Sequence, residues 1–167
     1  MGYAYFLKGD FKQAISNYNK ALQLAPYNAE IYNNLAVAYL KIRKFDEAIQ
    51  SCKKAVIIAP RFSDAYCNMG NAYRMKDELE KALESYQKSV SLNPRSSESL
   101  YGIGTIYLIN KQYDKAIEML KKAISINPNL AEAHSNLGNA YREKKMYELA
   151  EKEYRTAMKI NPKLAEA

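Results

Sequence analysis

The side chains best able to do chemistry here are one histidine, two cysteines, and asparagines and arginines that recur at fixed spacing. His134 occupies the position held by Tyr32, Tyr66 and Leu100 at earlier thirty-four-residue steps, so its neighbourhood in sequence is that of a packing residue rather than of a general base or a metal ligand. Cys52 and Cys67 have neither the spacing of a zinc site nor that of a redox pair. No glycine-rich loop opens a helix in a phosphate-cradling order, and no strand pattern is present that could carry a nucleophile elbow. The sequence therefore implies no catalysis, no cofactor and no bound metal. The asparagines are more informative. Asn34, Asn68 and Asn136 share one phase, which Gly102 interrupts, and Asn71 and Asn139 share the phase one helical turn later. A primary amide both donates and accepts, so it can pair with a guest backbone of any sequence or tie one helix to another. Both uses fit these positions.

The elements that must position these groups are read from the same period. Leu137-Gly138, Tyr141, Ala150, Tyr154, Ala157 and Pro162 return thirty-four residues earlier as Ile103-Gly104, Tyr107, Ala116, Leu120, Ala123 and Pro128. They return again as Met69-Gly70, Tyr73, Ala82, Tyr86, Ser89 and Pro94, then as Leu35-Ala36, Tyr39, Ala48, Cys52, Ala55 and Pro60. The opening residues also fit, with Gly2, Tyr5, Ala14, Tyr18, Ala21 and Pro26, and all five prolines fall in one phase. Self-similarity at such a period marks a repeat array whose units cannot bury their apolar faces alone. Each unit reads as two helices. Ile31, Tyr32, Leu35, Tyr39 and Leu40 keep helical spacing in the first, with Asn28 as its expected N-cap. A second helix begins near Phe45 and stops before Pro60, because proline lacks the amide donor and clashes with the preceding turn. Lys8-Gly9-Asp10 reads as a turn ahead of a helix from Phe11 to Leu24. Ala48, Ala82, Ala116 and Ala150 are the expected points of close approach between paired helices. Glu30, Asp64, Glu98, Glu132 and Glu166 suit the first turn of a helix, where the amide dipoles favour a carboxylate.

This pattern resembles the tetratricopeptide repeat family over essentially the whole chain, with mild departures: Tyr32, Tyr66, Leu100 and His134 stand where the family often has Trp, Ala36 replaces a glycine, and Ser89 replaces an alanine. The resemblance implies an all-α fold, a right-handed α-solenoid of helix-turn-helix hairpins forming an open array with a concave groove. The expected division is a partial repeat over 1–28, full repeats over 29–62, 63–96, 97–130 and 131–164, and the start of another at 165–167, all within one continuous solenoid. A beginning inside a hairpin suits a segment of a longer array.

In the family the first helix of each hairpin lines the groove and holds peptides. Carried over by phase, the lining residues are Asn33, Asn34, Val37, Leu40 and Lys41; Cys67, Asn68, Asn71, Arg74 and Met75; Tyr101, Gly102, Thr105, Leu108 and Ile109; and Ser135, Asn136, Asn139, Arg142 and Glu143, with Tyr3, Phe6 and Leu7 from the partial repeat. The asparagine series is similar to that of the superhelix in protein O-GlcNAc transferases. Chaperone-binding members grip a terminal carboxylate with a lysine, but the matching positions here are Asn33, Cys67, Tyr101 and Ser135, which argues against chaperone tails. Arg74 and Arg142 beside Tyr101, Leu108 and Ile109 suggest a peptide with an apolar anchor and some acidic character.

The expected function is a non-catalytic protein–protein interaction scaffold. The alternatives are self-assembly through exposed solenoid ends, where Tyr154, Met158 and Ile160 would partly face water, and a regulatory or substrate-recruiting segment of a larger enzyme such as a glycosyltransferase. A net charge of +7 permits nucleic acid as a partner but is the only feature that points to it. Pairs such as Glu84–Lys88 and Glu118–Lys122 place much of that charge on solvated helix faces. No run approaches a membrane span, and Met1 to Asp10 has no signal-peptide core, so a cytoplasmic setting is favoured without being fixed.

Overall fold

The computed structural model describes residues 1–165. Among these there are ten α-helices and no strand: α1 (Gly2–Leu7), α2 (Phe11–Leu24), α3 (Ala29–Lys41), α4 (Phe45–Ile58), α5 (Ser63–Met75), α6 (Leu79–Leu92), α7 (Ser97–Ile109), α8 (Tyr113–Ile126), α9 (Ala131–Glu143) and α10 (Tyr147–Ile160). A 3-10 turn, Pro162–Ala165, follows α10; of the expected start of another repeat at 165–167, Glu166 and Ala167 lie outside the described residues. The fold is an all-α array of paired helices, the first of each full pair 13 residues long and the second 14.

Local chemistry sets these lengths. Asn28 caps α3 by accepting from the Ile31 amide at 3.0 Å, Asp10 caps α2 through Gln13, and Ser96 caps α7 through Ser99. Each satisfies an amide that the first helical turn leaves unpaired. The acidic residues Glu30, Asp64, Glu98 and Glu132 do fall in first turns. Every hairpin turn uses one device. The amides of Asp10, Lys44, Glu78, Gln112 and Met146 reach back five residues to the carbonyls of Tyr5, Tyr39, Tyr73, Tyr107 and Tyr141 at 2.8–3.0 Å. That six-to-one closure needs a left-handed residue just before it. Gly9 supplies it at φ 77°, but Arg43, Asp77, Lys111 and Lys145 are held there at φ 58–62°. A side chain in this region is strained by about 1–2 kcal/mol, part of which glycine returns through its unfolded-state entropy. Lys111→Gly, at an exposed turn, is therefore expected to raise stability by about 0.5–1 kcal/mol, read as a higher urea midpoint at unchanged slope.

The chain forms two compact units, Met1–Leu92 and the residues from Asn93 onward. In the first unit the hairpins α1/α2, α3/α4 and α5/α6 pack through α2 on α3 and α4 on α5. In the second, α7/α8 and α9/α10 pack through α8 on α9. Within each unit the first helices of neighbouring hairpins also touch, α3 with α5 and α7 with α9, whereas no comparable contact joins α4 to α6 or α8 to α10. Helices that converge on one side and diverge on the other put the first-helix faces on the inside of the bend.

Small residues permit the close approach inside each hairpin. A Cβ placed on Gly70 would stand 2.6 Å from the Tyr86 ring, and one on Gly138 would stand 2.7 Å from the Tyr154 ring. Gly2 faces Tyr18, and Gly104 faces Leu120, in the same way. The hairpin that lacks this glycine explains its own departure: Ala36 shares its core cluster with Cys52, a residue small enough to leave room for the extra methyl. Ala48, Ala82, Ala116 and Ala150 are all buried, as the period predicts.

Candidate functional site

The inner faces gather most of the residues expected to line a groove, and they join them by hydrogen bonds the sequence left open. In the first unit the Asn68 side-chain amide donates to Asn33 Oδ1 at 2.9 Å, tying α5 to α3. In the second, Asn136 donates to Thr105 Oγ1 at 3.0 Å, and that hydroxyl donates to the Tyr101 carbonyl. The later phase bonds within a hairpin instead: Tyr86 Oη donates to Asn71 Oδ1 at 2.6 Å, and Tyr154 Oη donates to Asn139 Oδ1 at 2.8 Å. Four of the five in-phase asparagines thus make helix-to-helix bonds. Each such bond uses one of the four positions a primary amide offers.

The remaining lining residues divide by exposure. Asn34, Val37 and Leu40 are half-buried along α3, with Lys41 exposed at its end. Arg74 is half-buried and its Nε donates to Tyr86 Oη at 3.4 Å, while Met75 is 44% exposed. Tyr101, Thr105 and Leu108 are half-buried and Ile109 is exposed. Ser135 is half-buried, Gly102 is buried, and Arg142 is exposed, donating to Glu143 Oε1 at 3.1 Å. That carboxylate, and then the nearby Tyr154, hold the Arg142 guanidinium above its ordinary pKa. In α1, Tyr3 and Leu7 are exposed, and Phe6 packs edge-on against Phe11. Cys67 is only 7% exposed and lies near Cys52, whose thiol is pushed up to about 12, first by burial and then by Cys67. It presents no thiol to a guest, and the two cysteines are not joined in a disulfide.

Tyr86 and Tyr154 belong to this site although they sit on second helices. Their rings fill the space over Gly70 and Gly138, and their hydroxyls orient Asn71 and Asn139. The sequence signal was present as the sixteen-residue step from glycine to tyrosine, shared by both hairpins.

His134 is buried. Its Nε2 donates to the Pro128 carbonyl at 3.1 Å, and its Nδ1 lies 2.6 Å from Glu153 Oε2. Both partners belong to the packing between α9, α10 and the loop before α9, so the ring acts as a cross-link. At the hairpin turns, Lys76 bridges Asp46 at 2.6 Å and Glu78 at 2.8 Å, and Lys81 also pairs with Glu78. Hydrogen bonds from these two lysines hold the Glu78 carboxyl down to about 2. Lys144 repeats the bridge to Asp114 in the second unit. A depression of about 690 Å³ lies between the inter-repeat loops, lined by Tyr27, Ile58, Pro60 and Phe62 and not by the inner-face residues. Among the described residues no group of three or more His, Cys, Asp or Glu is arranged to hold a metal ion, and no helix is long and apolar enough to cross a membrane.

The comparisons with known proteins agree with this geometry. A family described as TPR repeat matches residues 2–42 and 104–144. Two families described as tetratricopeptide repeat match 29–62, 63–96 and 131–164, and 85–118. A crystal structure of MamA is similar at 34% identity and a TM-score of 0.80, covering 100% of this chain and 98% of that one. A thermophilic TPR protein of Thermus thermophilus is 26% identical with a TM-score of 0.79, covering 97% of this chain and 89% of that one. YrrB, described as a TPR protein with an unusual peptide-binding site, is 23% identical with a TM-score of 0.71 over 96% of this chain and 83% of that one, and attests the fold alone. No curated protein sequence matches. Hairpins closed by the same turn, locked by a small residue at the same position and matched by these family descriptions place the chain in the tetratricopeptide repeat family, to which it belongs.

Proposed function

We propose that the protein is a non-catalytic scaffold in which the inner helical face of each unit holds an extended segment of a partner protein. The observation that carries this reading is the amide set on those faces. Asn68, Asn71, Asn136 and Asn139 are each fixed by one bond to a neighbouring helix and keep donor and acceptor capacity for a guest backbone. Groups already immobilised lose little further entropy on binding, which is the advantage of a preorganised face. On the first helices, exposed Met75 in α5 and Ile109 in α7 offer apolar contact. The peptide-binding site named for YrrB supports the reading by analogy of fold. Among the described residues the histidine is engaged in packing bonds and both thiols are buried, so none of the three is presented to a guest on the inner faces.

The test is selection from a phage-displayed peptide library, followed by calorimetric titration of the selected peptides. Asn68→Ala/Asn71→Ala is expected to weaken them about tenfold or more, since two guest hydrogen bonds and the preset geometry are lost together. A library that enriches nothing, or peptides that bind the double variant unchanged, would remove the inner face from the account.

A further inference from the structure

One pentapeptide occurs twice without change, Gly70-Asn71-Ala72-Tyr73-Arg74 in α5 and Gly138-Asn139-Ala140-Tyr141-Arg142 in α9. In both places the glycine receives the tyrosine ring from the second helix, and the tyrosine hydroxyl meets the asparagine. The bonding around Tyr86 has a direction. Its oxygen accepts from Arg74 Nε at 3.4 Å, so its own proton goes to Asn71 Oδ1 at 2.6 Å. With that oxygen engaged, the Asn71 amide offers its N–H2 group, and Arg74 offers the rest of its guanidinium. The Asn71 oxygen keeps one lone pair, but the free groups around it, an N–H2 and a guanidinium, are donors, one of them cationic, and together they favour an anion.

The second copy pairs its arginine with a carboxylate. Arg142 donates to the carboxylate of the residue that follows it, Glu143. In the first copy the following residue is Met75, 44% exposed, and Arg74 forms no ion pair among the described residues. The arginine of the pentapeptide thus meets a carboxylate of the chain itself in α9 and, among the described residues, meets none in α5. We propose that Arg74 and Asn71 hold a glutamate or aspartate side chain of the bound partner segment, with Met75 against an apolar residue next to it. This deepens, and rests on, the reading of the inner face as a peptide site. The net charge of +7 favours encounter with an acidic partner.

The full chain is titrated with a fluorescein-labelled synthetic peptide that alternates glutamate with leucine, and with the same peptide carrying glutamine for glutamate. The glutamate peptide is expected to bind about tenfold tighter, the scale of a charge-assisted hydrogen bond. Arg74→Gln is expected to erase that preference. Met75→Glu, which copies the arrangement of α9, is expected to weaken the glutamate peptide by a similar factor and leave the glutamine peptide unchanged. Thermal melts confirm that both surface variants are folded. Equal binding of the two peptides, with no response to Arg74→Gln, overturns the carboxylate site while the peptide groove stands. Failure of both peptides to bind the wild type also overturns it, and the library selection then decides the groove separately. A single-stranded oligonucleotide that binds more tightly than the glutamate peptide, with an affinity that depends on Arg74, overturns it in favour of a phosphate backbone.

Discussion

Tyr86→Ala is expected to destabilise the protein by about 3–5 kcal/mol in equilibrium urea unfolding, the range for emptying the space of a buried ring. The side chain is 0% exposed, and its ring fills the room made by the missing Cβ of Gly70. Gly70→Ala attacks the same contact from the other side. Its new methyl would stand 2.6 Å from the ring, and the resulting overpacking is expected to cost about 1–3 kcal/mol despite the better helix propensity of alanine. The chain already contains a different solution, Ala36 with Cys52. That pair defines a double-mutant cycle. In the Tyr86→Cys background Gly70→Ala is expected to be neutral or stabilising, a coupling of at least about 1 kcal/mol relative to the two single changes. Additive costs would mean that the glycine is not there to receive the ring. Tyr86→Phe separates packing from orientation. It keeps the ring, removes the bond to Asn71, and should cost about 1 kcal/mol.

How much of this was legible in the sequence depended on whether the signal was local. Helix boundaries were, because the in-phase prolines and the Asn28 cap act on their own neighbours: Phe11–Leu24 and the start at Phe45 stand as expected. The burial of Ala48, Ala82, Ala116 and Ala150 was legible for the same reason, since a strict period places one small residue at the same turn of each second helix; the clusters put Ala48 and Ala116 against the next hairpin as well as their own. The left-handed turn residue was not. Gly9 announces it and Asp77 tolerates it, but Arg43, Lys111 and Lys145 have no preference for that conformation, which the six-to-one closure imposes on them. For the candidate site, phase sufficed to put asparagines on the first helices, but not to choose between guest and neighbour as their partner. That choice depends on a tyrosine fifteen residues away reaching across the hairpin, as Tyr86 does to Asn71. Cys67 shows the limit from the other side. It shares the phase of Asn33, yet it lies buried near Cys52, while Asn33 bonds with Asn68.

Ala116→Asp is expected to have the larger effect of the two core changes, above about 4 kcal/mol, because it adds volume and an unpaired charge to the same closed space. Ala116 is fully buried in a cluster with Leu120, Ala133, Leu137 and Tyr141, where α8 meets α9. Leu120, Ala133 and Leu137 offer a carboxylate no donor, and the Tyr141 hydroxyl could donate one bond without neutralising the charge. Ala116→Leu adds volume without charge and is expected to cost about 1–3 kcal/mol. Ala116→Ser is nearly unchanged in size, and its hydroxyl can bond to the carbonyl four residues back, as Ser51 and Ser85 do to Glu47 and Lys81; it is expected to cost about 1 kcal/mol. The ordering Ser, Leu, Asp therefore separates polarity, volume and charge at one position. Acid provides a further check with a definite sign. Burial raises the carboxyl pKa above its unfolded value, so the folded protein takes up a proton more readily, and the penalty relative to the wild type should shrink as pH falls towards the ordinary carboxylate range. Amide exchange should accelerate first in α8 and α9, whose contact the substitution disrupts. A mild cost for Ala116→Asp, or one that does not change with pH, would mean that solvent reaches this alanine and that the hairpins are not held together by close approach at the small positions.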